Sequence, residues 1–177
     1  ADGAMAPVRT EKGVPHCWRE NKGVRMYLVD DESIAHVLSW HQICSKAEFI
    51  ASLQSIKDLN LFPPEKVRVC CLGDGADWIW DGMNTVFPGA RQILDYYHCA
   101  QHLHDFAKAR FSVASEGARW LKQTKQRLFA NQGRAVVAGL KRMKLKGNIA
   151  SERDKLSNYL SKNIERIDYR KAKRGGY

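Results

Sequence analysis

Asp2 in "ADGAM" and Asp74 in "CLGDGADWIW" each stand directly before a glycine. A third, Asp95, closes the apolar stretch "RQILD" and is followed three positions later by His98. In open α/β sheets, functional side chains gather beyond the carboxyl ends of the strands. A glycine after such a residue lets the chain turn sharply and leaves the carboxylate pointing outwards. Carboxylates that meet in space repel one another. A hard divalent cation removes the repulsion, and Mg²⁺ prefers oxygen ligands. Two such ions about 4 Å apart suit in-line phosphoryl displacement. An Asp-Gly pair is equally an ordinary turn, and spacing alone leaves both readings open.

The segment "DYYHCAQHLH" adds His98, Cys99, His102 and His104. His98 and His102 are four apart and share a helical face, as a zinc-binding pair does. A second pair of soft ligands is wanting, because His16 and Cys17 are adjacent rather than spaced. Asp95 and His98 read either as a hydrogen-bonded Asp-x-x-His pair at a strand-to-helix junction or as a satisfied helix start. Asp77 and Asp81 read as a solvated helix face and as the acidic preference of a helix amino terminus. Trp78, Ile79, Trp80 and Phe87 read as packing that pins the Asp74 turn.

The elements that must position these residues follow from periodicity. Residues 24–29 ("VRMYLV") are β-prone and stop at Asp30-Asp31-Glu32, and "CWREN" upstream begins or ends another strand. Phe49, Ile50, Leu53 and Ile56 fall on one face of a helix over 46–59, ended by Asn60 and Pro63-Pro64. Residues 67–72 ("VRVCCL") read as a buried strand closed by Gly73-Asp74-Gly75. A short helix over 76–86, the turn "FPGA" and a strand over 91–95 follow.

After Asp95 the texture becomes helical. Trp120, Leu121, Thr124 and Leu128 form one stripe, with a glycine stop at Asn131-Gln132-Gly133. Val136, Val137, Leu140 and Met143 form the next, stopped at Gly147-Asn148. Ser151 and Asp154 resemble a capping box. Leu156, Leu160, Asn163, Ile164 and Ile167 continue that helix, and "RKAKRGGY" reads as a frayed end.

Charge divides the chain at the same place. Residues 1–90 hold 9 Lys/Arg against 12 Asp/Glu, whereas residues 91–177 hold 20 against 7. A basic half suits a polyanion, most often nucleic acid; a helical bundle with a solvated charged face is the other reading. No apolar run reaches 18 residues, so no membrane span is expected. The start lacks the pattern of a secretory signal. Five cysteines without a CxxC fit a reducing cytoplasm.

Taken together, "DGAMAPVR", "CWREN" and "LGDGADWIWDGMNTVFPGARQILDYYHCAQHL" resemble the DDE transposases of bacterial insertion sequences, closest to the IS-Kra group. The resemblance covers nearly the whole chain. It implies an α/β, ribonuclease-H-like mixed five-stranded sheet with an all-helical insertion, truncated at both ends. The catalytic core would occupy residues 1–96 and the basic insertion residues 97–177. Asp2 would be the first catalytic, metal-binding aspartate and Asp74 the second. Asp95 and His98 would match the Asp-x-x-His signature after the last core strand, with Asp95 positioning His98 near metal or DNA.

The implied cofactor is a pair of Mg²⁺ ions, with Mn²⁺ as a substitute. The implied activity is cleavage of transposon ends and their joining to target DNA. The implied partners are DNA and further copies of the same chain, in a nucleoid-associated cytoplasmic protein with no membrane partner. The third carboxylate, a glutamate after a Gly-Ser-Gly-containing segment, has no counterpart here. Glu116, Glu152 and Glu165 match no motif. A decayed or domesticated fragment that only binds nucleic acid, and an unrelated metal-dependent phosphohydrolase, stand as the alternatives.

Overall fold

The structure, a computed structural model, describes residues 1–8, 17–30, 32–61, 63 and 66–176. His16, Asp31, Pro64 and Tyr177, which entered the reading above, lie outside them. The described residues form a mixed α/β protein with seven helices, a three-stranded antiparallel sheet and a two-stranded parallel sheet. The chain divides into two compact units, residues 1–91 and 92–177, and each is described by itself. No helix among the described residues is long and apolar enough to cross a membrane.

In the first unit, β1 (Asp2–Val8) pairs antiparallel with β2 (Cys17–Val29), which pairs antiparallel with β3 (Ile34–Ile43). "CWREN" and "VRMYLV" are therefore two parts of one 13-residue strand. Only its centre, Lys22 to Val24, is buried. The β2–β3 turn is closed by Asp30, whose Oδ1 accepts from the backbone nitrogens of Glu32 (2.9 Å) and Ser33 (2.7 Å). Those two bonds hold the Asp30 carboxyl below the usual carboxylate range.

Helix α1 (Lys46–Asp58) opens on a capping box. The Ser45 hydroxyl accepts from Glu48 N, and Glu48 Oε2 accepts from Ser45 N at 2.7 Å. Such a cap contributes about 1 kcal/mol. Phe49, Leu53 and Ile56 are buried as periodicity requires, and Ile50 is half-buried.

Strand β4 (Cys70–Gly73) starts three residues later than the apolar run suggests. The backbone nitrogens of Lys66 and Val67 both bond to Pro63 O and hold that stretch in a turn. Helix α2 (Asp77–Val86) follows, then β5 (Arg91–Leu94), the parallel partner of β4. Phe49 meets Trp78 edge-on at 4.7 Å between ring centroids, which joins α1 to α2.

The second unit continues with five helices: α3 (Tyr96–Arg110), α4 (Ala114–Phe129), α5 (Gly133–Arg142), α6 (Gly147–Lys162) and α7 (Tyr169–Arg174). α3 packs on α4 and α6, and α5 on α6. Leu103, Phe106, Leu128, Leu140, Leu156 and Leu160 are fully enclosed.

The stop signals sit differently from the sequence reading. Gly133 and Gly147 are first residues of helices rather than terminators. The left-handed position after α4 is taken by Asn131, at φ 61°, a conformation asparagine tolerates. Ser151 and Asp154 lie inside α6, whose amino terminus at Lys146 has no side-chain cap. Asn163, Ile164 and Ile167 lie beyond the end of α6; Asn163 and Ile167 are nevertheless buried. The basic end is helical from Tyr169, with Tyr169 and Ala172 buried as anchors.

Gly73 carries the tightest requirement around the Asp74 turn. A Cβ there would lie 2.9 Å from Ile79 Cγ2 and 3.0 Å from Trp80 Cη2, both on buried side chains of α2. Gly73→Ala should therefore destabilise the protein by about 1–3 kcal/mol through overpacking. Gly89→Ala, where a Cβ meets nothing within 4 Å, should change stability by less than about 0.5 kcal/mol. Denaturant unfolding of the two variants checks the contrast; equal losses would contradict it.

Candidate metal centre

Asp2 is the first residue of β1, and Asp74 directly follows β4. Each brings a carboxylate oxygen to within 4.8 Å of the other. Three local features produce this. The backbone nitrogen of Ala1 donates to Leu72 O at 2.7 Å, which draws the start of β1 to β4. Asp74 Oδ1 accepts from Ala76 N at 2.8 Å, and Gly75 adopts φ 106°, so the chain folds back beneath the carboxylate. Asp2 Oδ1 accepts from Gly3 N at 2.8 Å.

Behind this pair lies a polar network that the sequence reading misses. Glu20 on β2 accepts from Trp78 Nε1 through Oε1 (2.8 Å) and from Lys22 Nζ through Oε2 (2.7 Å). Lys22 is buried; it also donates to Cys44 O at 3.0 Å and lies over the Trp78 ring. A Cβ on Gly3 would stand 2.8 Å from Glu20 Oε1 and 3.0 Å from Trp78 Cζ2. The network therefore presses against the backbone next to Asp2 and also grips the first turn of α2, just after Asp74. Its one signal in the sequence is a Glu and a Lys two apart in a strand, hence on the same face.

Asp81 pairs with Lys46 at 2.6 Å on the surface, and Asp77 lies in the first turn of α2. The buried Ile79 and Trp80 pack against Gly73 at the Asp74 turn, whereas Trp78 packs against Gly3 and Phe49.

In the second unit Asp95 caps α3. Its Oδ1 accepts from Tyr97 N at 2.6 Å and from His98 N at 3.4 Å. The His98 ring is held less closely, with Nδ1 3.7 Å from Asp95 Oδ2. The helix-start reading of these two residues therefore describes the dominant contact, and the side-chain pairing is secondary. His102 stacks on Tyr159 at 3.9 Å between ring centroids, and burial lowers its pKa. Among the described residues it joins no cluster of three potential ligands. Burial pushes the Cys99 thiol up to about 11, so the thiolate a soft metal needs is disfavoured. His104 Nε2 lies 3.1 Å from Lys125 Nζ. A zinc pair of His98 and His102 gains no support here. Of the glutamates, Glu165 pairs with Arg134 and Glu152 with Lys155 (2.7 Å), while Glu116 lies in the first turn of α4.

Comparison with protein-family models, with curated proteins and with solved structures gives no match.

The chemistry of the Asp2–Asp74 pair fits a hard divalent cation: all-oxygen donors, convergent, one half-buried and one open to solvent. Asp2→Asn and Asp74→Asn should each weaken Mn²⁺ binding by about tenfold or more, since each removes one of two charged ligands. Electron paramagnetic resonance titration of free Mn²⁺ reads this. Unchanged binding in both variants would dismiss the pair as a metal centre. His102 carries a separate expectation. Its folded pKa lies below the ordinary 6.5, so on acidification the unfolded chain takes the proton first. This group's contribution to stability is complete above about pH 6.5 and is lost as pH falls through the folded value. An NMR titration of His102 should show a midpoint below 6.5 that rises in Tyr159→Ala.

Proposed function

We propose that this chain carries the metal-binding part of a DDE-type DNA transposase core with a ribonuclease-H-like sheet. The observation that carries the reading is the convergence of Asp2 and Asp74 from residues distant in sequence. These are the two positions that the resemblance assigns to metal. The bond from Ala1 N to Leu72 O sets β1 beside β4. Continued along both strands, that neighbourhood would merge the three-stranded and two-stranded sheets into one mixed sheet in the order β3-β2-β1-β4-β5. Five strands in one mixed sheet is what a ribonuclease-H-like core requires.

In this reading Asp2 and Asp74 supply oxygen ligands from two strands, and the Glu20–Lys22–Trp78 network keeps their backbones from drifting apart. Mg²⁺ bound there would activate a water or 3′-hydroxyl and neutralise the leaving oxygen. Asp95 fixes the start of α3 and thereby the backbone that carries His98. The basic second unit would contact the DNA backbone, where affinity comes chiefly from phosphate neutralisation.

The test is cleavage of DNA bearing the element's ends by the full-length protein, with Mg²⁺ or Mn²⁺. Asp74→Asn should lower cleavage by about 10³-fold or more and leave DNA binding within about threefold. Unchanged cleavage would remove Asp74 from the site and defeat the reading. Metal-dependent hydrolysis of a small phosphate ester, with DNA untouched, would favour the phosphohydrolase instead. Residues 1–177 alone should bind duplex DNA without strand joining, because the third carboxylate that the resemblance calls for matches none of the glutamates present.

A further inference from the structure

We propose that a groove in the second unit, between the α4–α5 turn and α7, seats the phosphate backbone of duplex DNA. The inference rests on DNA being this chain's partner and adds where it binds. Two hollows of about 270 Å³ and about 200 Å³ adjoin, sharing Asn131 and Asp168 in their walls. Arg134 lines the first, and Arg170, Lys171 and Arg174 line the second. Two carboxylates, Glu165 and Asp168, face these four cations, and both are engaged. Glu165 pairs with Arg134, and Asp168 Oδ1 accepts from Lys171 N at 2.9 Å.

Helix α7 is the physical anomaly. Four of its six residues, Arg170, Lys171, Lys173 and Arg174, are basic and exposed. Among the described residues none of the four forms an ion pair. Arg170 lies three and four positions from Lys173 and Arg174, and Lys171 lies three from Arg174. Like charges at these spacings destabilise a helix. Arg170, in the first turn, also opposes the helix dipole, although Lys171, Lys173 and Arg174 in the last turn favour it. A two-turn helix has little cooperativity with which to absorb this. A partner anion would relieve it.

The cations line both hollows, one in the first and three in the second, which suits a row of phosphates better than a single small anion. Duplex DNA presents one charge per about 1.7 Å of axis. Among the described residues, no aromatic side chain lines either hollow. These residues offer no stacking platform of the kind single strands use, which favours a duplex backbone.

The test compares two triple variants of the 177-residue chain by fluorescence anisotropy with a labelled mixed-sequence duplex. The first is Arg170→Gln, Lys171→Gln and Arg174→Gln. The second, Lys141→Gln, Arg142→Gln and Lys144→Gln, removes the same charge from exposed positions outside both hollows. Circular dichroism checks that both fold. The groove variant should lose about tenfold or more in affinity, and its log–log salt slope should flatten by about 0.9 for each phosphate that is no longer neutralised. The matched variant should lose less than about threefold. Glu165→Gln, which frees Arg134 from its ion pair, should tighten binding. Equal losses in the two triples would overturn the groove while leaving DNA as the partner. A wild-type chain that binds no duplex would overturn both. Tighter binding of a single strand than of the duplex would overturn the duplex assignment.

Discussion

Two carboxylates held within 4.8 Å of one another repel by about 1 kcal/mol in water and by about 3 kcal/mol at an effective dielectric near 20. Nothing in the pair itself supplies that energy. The surrounding unit must, and its architecture is arranged around doing so. Asp2 and Asp74 each accept a backbone N–H that steadies one oxygen. The strands that carry them are joined by the Ala1–Leu72 bond. Gly73 fits beneath Ile79 and Trp80 with no room for a methyl group. On the proposed reading a cation would relieve that repulsion, a cost that packing and backbone hydrogen bonds otherwise meet.

The Glu20–Lys22–Trp78 network shows where part of that support originates. A buried lysine is tolerated only when its charge is paired and its remaining protons find acceptors. Glu20 and Cys44 O provide both. Glu20 then has one oxygen left for Trp78 Nε1, so the same carboxylate joins the middle of β2 to the first turn of α2. Removing Glu20 would strand a buried ammonium and release an indole N–H together. Gly3, next to Asp2 on β1, abuts this network, and a Cβ there would stand 2.8 Å from Glu20 Oε1 and 3.0 Å from Trp78 Cζ2. The network's chemistry is structural, yet its geometry passes directly to the site.

How much of this is legible in the sequence depends on whether the signal is local. α1 is legible because its apolar face repeats with helical period and its stop is marked. α2 and the Asp74 turn are legible because Gly-Asp-Gly followed by an apolar helix leaves few alternatives. β3 is not: "IAHVLSWHQI" is mostly exposed, and its strand state comes from pairing with β2 rather than from its own alternation. The helix stops fall near the helix ends but on other residues than the glycines. Glycine reads as a terminator at 133 and 147, whereas Asn131 takes the left-handed position after α4 and both glycines open helices. The Ser151–Asp154 pattern fails because a capping box requires a preceding break in the helix. At Ser45 the break exists, and the same chemistry is realised. The approach of Asp2 to Asp74 is legible only through the family resemblance, since no periodicity connects residues so far apart.

The two kinds of charge in this chain obey different physics. The carboxylate pair acts over less than 5 Å, well inside the screening length of about 8 Å at physiological salt. Any attraction for a divalent ion would be set mainly by convergence of oxygens and would weaken little as salt rises. The cations of α7 are exposed and distributed. Their hold on a polyanion would come from counterion release, which falls steeply with salt. With the carboxylate pair in one compact unit and the cations of α7 in the other, salt would weaken attachment to a polyanion on the proposed reading while changing the hold on a metal ion little. Placing the cations among the carboxylates would neutralise both, and the marked charge imbalance along the sequence is the primary-structure form of that separation.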